Sequence, residues 1–156
     1  MTIVPSALTP DSILAALAGE DDVAALAARW GEDSDRCGIR SAIEAGAESL
    51  HRSAMRDVAG AVRSASRLVA ICDAMGDAST RLASRLALGI AQTYGNAFEA
   101  ALTTFDAVAS IDGSGAEATI LRARIGLARV HALARLGRLD DAANAGEAAL
   151  RLLEQA

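Results

Sequence analysis

At 156 residues, with 52% apolar and 22% charged, the chain has the length and material of one ordinary domain with a continuous core. A formal net charge of -5, its charges scattered, argues against nucleic-acid binding, which needs a basic footprint to release counterions from phosphate. No apolar run approaches the roughly 18 residues of a membrane span, and residues 1–10 have neither the basic start nor the apolar run of a secretory leader.

The remaining text is dominated by Ala, Leu, Arg and Glu, which lose little side-chain freedom in a helix. In chain order, Thr9 caps a short helix over residues 10–18, with Pro10 in its first turn and Gly19 at its end. Asp21 or Asp22 caps a second helix that reaches Trp30 and stops at Gly31. After a polar break at 32–35, a long helix is predicted over 36–55, and its partner over 57–75 ends at Gly76-Asp77. Asp77 or Ser79 caps the next helix, which runs to Tyr94. Gly95-Asn96 turns the chain into a helix over 98–112. Asp112-Gly113-Ser114-Gly115 is the strongest breaker in the sequence. A last pair follows over 116–136 and 139–154, joined at Gly137-Arg138. Turns this short make antiparallel hairpins. No strand is expected.

One apolar pattern recurs. Starting at Val58, Phe98 and Leu139, at spacings of 40 and 41 residues, the offsets 0, 3, 4, 7, 10, 11 and 14 are apolar everywhere except at Asp112 and Gly146. Val23, Leu26, Ala27 and Trp30 match the first four offsets, as a degenerate opening unit would. Self-similarity at such a period marks stacked repeats, because no single unit buries its own stripe. The chain therefore reads as one domain over 1–156, with short N-terminal helices over 10–31 and helix-hairpin repeats over 36–75, 77–112 and 115–154.

Leu88-Gly89, Asn96, Phe98, Ala101 and Phe105 fall at the spacing of tetratricopeptide repeats. Leu136-Gly137-Arg138-Leu139-Asp140-Asp141-Ala142, with Ala149, looks like the same turn and second helix again. Over roughly residues 36–154 the chain resembles that family in a longer-period form common in bacterial regulators and signalling proteins. It departs from the family pattern in its period and in Gly113, which stands where a proline usually closes the unit; the first pair keeps only the apolar register. The resemblance implies an all-α, right-handed solenoid of about three full hairpins plus the short N-terminal pair. It also implies a concave side lined by the first helix of each hairpin. Carried over by position, that lining is Leu86, Ile90 and Tyr94 from one unit and Arg124, Leu127, His131 and Arg135 from the next. Such a mixed apolar, aromatic and basic set suits a peptide with an apolar anchor and an acid.

Other chemistry is sparse. Asp33-Ser34-Asp35-Arg36-Cys37-Gly38 with Glu44 has the spacing of a calcium loop, but Cys37 is a soft thiol in an oxygen position and Arg40 occupies an apolar one. An acidic capping turn is the simpler reading. Cys37 and Cys72 form no metal spacing; Cys72 lies on the apolar stripe, so a buried free thiol in a reducing, cytoplasmic setting is expected. His51 and His131 have no carboxylate or Cys at a ligand spacing, and no nucleophile, base and orienting group can be nominated together. Arg52, Arg56, Arg63 and Arg67 read as a solvated face with local ion pairs. Leu150, Leu152 and Leu153 near the C-terminus leave the last helix partly apolar, which points to a second copy or to a further unit covering it.

The expected function is a non-catalytic scaffold that binds a partner protein or peptide, without cofactor or metal and without nucleic acid or membrane. The alternative is the sensor or regulatory repeat domain of a larger signalling or defence protein.

Overall fold

The computed structural model describes residues 8–19, 21–31 and 36–156, without the side chains of Arg36 and Cys37. The described residues form eight α-helices and one 3-10 turn, with no strand. The helices are α1 (Pro10–Ala18), α2 (Val23–Gly31), α3 (Arg36–Ala54), α4 (Val58–Met75), α5 (Ala78–Tyr94), α6 (Phe98–Asp106), α7 (Ala116–Arg135) and α8 (Leu139–Glu154). Among the described residues no helix is long and apolar enough to cross a membrane.

Local chemistry sets most of the boundaries. Thr9 and Ser12 form a reciprocal capping box at the start of α1: the Ser12 amide donates to Thr9 Oγ1 at 3.2 Å, and the Thr9 amide to Ser12 Oγ at 2.9 Å. Asp57 accepts from the Gly60 amide at 2.9 Å, and Asp77 from the Thr80 amide at 2.9 Å. Each satisfies a donor that the helix start leaves without a partner. Gly76 closes α4 at φ 78, the left-handed region where a side chain is costly. At the Gly95-Asn96 turn it is Asn96, at φ 58, that takes the left-handed conformation.

One boundary differs from expectation. The helix predicted over 98–112 stops at Asp106 and tightens into a 3-10 turn, Ala107–Ser110. Ile111 is then extended and only 2% exposed. Arg122 fixes this ending by donating to the carbonyls of Ile111 at 2.6 Å and Gly113 at 2.7 Å. Ala109 and Asp112 accordingly fall off the apolar stripe and are exposed.

Packing stays close to chain order. α1 lies on α3, α2 on α4, α3 on α4 and α5, α4 on α5, α5 on α6 and α7, α6 on α7, and α7 on α8. The apolar interior is correspondingly divided. One cluster joins Ile13, Leu26, Trp30, Ile43, Leu68 and Ile71. A second joins Leu82, Leu102, Phe105, Ile111, Leu121 and Leu133, and a small third joins Ala54, Ala61 and Ala91. Helix α5 belongs to all three, through Ala87 and Leu88 in the first, Leu82, Ala83 and Leu86 in the second, and Ala91 in the third. Gly89 in α5 lets α6 approach: a Cβ there would run into Phe105 Cε1 and Cζ.

Candidate functional site

α5 lies between α3 and α7, and the three helices share one surface. Along α3 the residues facing it are Arg40, Glu44, Ala47, Glu48 and His51; along α7 they are Glu117, Leu121, Arg124, Ala128 and His131. The spacing of three and four residues puts each set on one helix face. Side chains bridge the two outer helices across α5. Arg40 Nη1 meets Glu117 Oε2 at 2.9 Å while its Nη2 meets Asp77 Oδ1 at 3.1 Å. Arg124 Nη2 meets Glu48 Oε2 at 3.1 Å. Each exposed pair contributes about 0.2–1 kcal/mol, so together they act as a weak strap.

Beneath the straps little space remains. The cavity bounded by Glu44, Ala47, Leu86, Ile90, Leu121 and Arg124 is about 50 Å³. Leu86 is 6% exposed and covered, so it does not line an open surface as expected. The open part lies toward the C-terminal ends of the helices. There His51, Ile90, Thr93, Tyr94, Ala128 and His131 enclose about 260 Å³. This is below the size of typical cofactor and drug pockets, so it suits one side chain of a larger ligand rather than a cofactor.

The walls of this cavity are chemically mixed. Ile90 and Ala128 supply apolar contact, and Tyr94 is 45% exposed. The His51 and Tyr94 rings are tilted at 41° with centroids 6.1 Å apart. His51 Nδ1 is buried without a hydrogen-bond partner and lies 3.9 Å from Glu48 Oε1. Thr93 Oγ1 donates to the Gly89 carbonyl at 2.8 Å.

Of the seven expected lining residues, the fold gathers Ile90, Tyr94 and His131 at the open cavity and Leu86 and Arg124 at the strapped one. It does not bring in the other two. Leu127 is 45% exposed and lines neither cavity, and the Arg135 guanidinium sits 5.4 Å over the Phe98 ring. The α3 wall, Glu44, Glu48 and His51, is not among the residues expected from the sequence. Its signal was a face carrying two acids at i, i+4 and a histidine three residues on, complementary to Arg124.

Three carboxyl groups crowd one guanidinium at the strapped end. Burial, and then hydrogen bonding and repulsion from Glu117, push the Glu44 carboxyl up to about 7. Burial works against ionisation of Asp77 too, but the Thr80 amide and Arg40 prevail and hold it below its ordinary value. Cys72 is fully buried and its thiol is pushed up to about 12 by burial, which makes it a packing residue rather than a nucleophile.

Arg67 is not part of a solvated face: its guanidinium donates to the carbonyls of Gly19 and Asp21 and closes the end of α1. Residues 33–35 and the side chains of Arg36 and Cys37, from the calcium-like loop, lie outside the described residues. Among the described residues no group of three or more His, Cys, Asp or Glu is placed to hold a metal ion. Two larger recesses lie elsewhere, about 350 Å³ beside Trp30 and Met75 and about 670 Å³ beside Leu17 and Arg63.

No family model matches the chain, and no curated protein or solved structure matches it either.

Proposed function

We propose that the chain is a right-handed, tetratricopeptide-like solenoid that acts as a non-catalytic protein-interaction scaffold. Packing in chain order and an interior divided at α5 support the solenoid, since a bundle around one centre would join the separate clusters into one. The observation that carries the function is the 260 Å³ cavity shared by α3, α5 and α7, with an apolar floor and His51, Tyr94 and His131 at its edge. A peptide of the partner protein inserts one apolar side chain there, and its backbone or a neighbouring polar group meets the imidazoles and the tyrosine hydroxyl.

The test is to select binders from a random peptide library on the intact protein and titrate them against Tyr94→Ala and Ile90→Asp. The reading expects affinity to fall at least about tenfold in both while the helical signal is kept. Binders that tolerate both substitutions would remove the cavity from consideration. A second reading, a sensor domain that controls an effector, is favoured by Glu44, whose carboxyl, pushed up to about 7, faces the Arg40–Glu117 pair that joins α3 to α7. It expects the strap to loosen as pH rises through neutrality.

A further inference from the structure

The last hairpin carries most of the exposed large apolar side chains. Among the described residues these are Met55, Tyr94, Ile120, Leu127, Leu139, Leu150 and Leu153, and the last five belong to α7 and α8. Leu139 is 67% exposed and Leu150 57%. The two helices are antiparallel, since Gly126 lies against Ala149 and Gly146 against Val130. At about 100° per residue, Ile120 and Leu127 lie about a quarter-turn round α7 from its contact with α8. Leu139, Leu150 and Leu153, with Ala143, lie about a quarter-turn round α8. In an antiparallel pair these two rotations reach the same side. The result is one continuous apolar face, on the order of several hundred Å², larger than a lone surface leucine explains.

Charge frames this face asymmetrically. Beyond the apolar residues of α7 run the exposed Arg124, His131 and Arg135. Beyond the leucines of α8 run the exposed Asp140, Glu147 and Glu154, seven residues apart. On balance one edge is basic and the other acidic, with Arg124 also meeting Glu48 of α3, Arg135 lying over Phe98, and Arg151 meeting Glu147 along α8.

We infer that this face pairs with the same face of a second copy, about a two-fold axis parallel to the helices. That axis lays α7 of one copy over α8 of the other, so each basic edge meets an acidic edge. The Gly126–Ala149 and Val130–Gly146 contacts fix the level of α7 against α8. At those levels Arg124 comes beside Glu154 of the second copy, His131 beside Glu147, and Arg135 beside Asp140. Leu127 then lies over Leu150. A two-fold axis across the helices would instead set basic edge on basic edge, and the charges oppose it. The interface is isologous and closed, so it yields a dimer and not a filament.

Sedimentation equilibrium of the full chain, from micromolar to millimolar and at low and high salt, tests this. The expected result is a monomer–dimer equilibrium that salt weakens. Leu150→Asp raises the dissociation constant roughly a hundredfold or more, with helical circular dichroism unchanged. Asp140→Arg raises it roughly tenfold, and adding Arg135→Glu restores it. A strict monomer at millimolar concentration, as when the face awaits another helix instead, overturns the inference. So does a dimer indifferent to Leu150→Asp, or a charge reversal that its partner reversal fails to rescue.

Discussion

Glu44→Gln isolates the most unusual electrostatic feature of the fold. The Glu44 carboxyl moves from its ordinary 4.5 to about 7 because it is partly buried and faces Glu117. Between those values the folded chain keeps a proton that the unfolded chain has released. Stability therefore falls as pH rises through this window, and the full cost is present above about pH 7. At about 1.36 kcal/mol per pH unit, the whole interval would be worth on the order of 3 kcal/mol. The group is only partly enclosed, and solvent screening reduces this to about 1–2 kcal/mol. Glutamine keeps a donor toward Glu117 and cannot ionise, so it mimics the protonated acid. Urea unfolding followed by circular dichroism, at about pH 5 and about pH 8, gives the comparison. The variant should match the parent at the lower pH and exceed it by about 1–2 kcal/mol at the higher. His51 and His131 are common to both proteins, so the difference reports Glu44 alone. A difference that is the same at both pH values, or a variant weaker at the higher one, refutes the reasoning.

Three other outcomes follow from particular contacts. Gly89→Ala forces the Phe105 ring out of its seat between α5 and α6, with a loss of about 3 kcal/mol by chemical denaturation, and Phe105→Leu in the same chain recovers part of it. Arg67→Ala removes the donors to Gly19 and Asp21 and costs about 1–2 kcal/mol; hydrogen exchange should rise in α1 and leave α7 and α8 unchanged. In a Cys37→Ser background, iodoacetamide should label Cys72 only on unfolding, because the thiol is buried and held protonated; prompt labelling of the native protein would contradict its placement.

The helix ends were largely legible because their causes are local. Thr9, Asp57, Asp77 and Gly76 sit within four residues of the groups they satisfy. The end of α6 was not, because it is set by Arg122, which reaches back to Ile111 and Gly113 from the next helix. The apolar stripe tells a similar story. On α4 its positions Ala61, Ala65, Leu68 and Cys72 are buried, whereas on α8 the same pattern leaves Leu139, Leu150 and Leu153 exposed. Periodicity shows which face is apolar and not whether a neighbour covers it.

Half of the candidate site was equally hard to read. Arg124 and Glu48 are 76 positions apart, and their pairing depends on how far α3 and α7 close over α5. That closure also buries Leu86, which position alone would leave at the surface of a groove. Arg67 was misread for a related reason: its acceptors are backbone carbonyls, which no side-chain pattern records.

Nuclear Overhauser contacts in the native protein test the layered arrangement most directly. Cross-peaks are expected between the His51 and Tyr94 rings and between the Ile90 and Ala128 methyls, tying α3, α5 and α7 around one cavity. Their absence, together with contacts from α7 methyls to Ile13 or Trp30, would describe a bundle closed around one centre and contradict it.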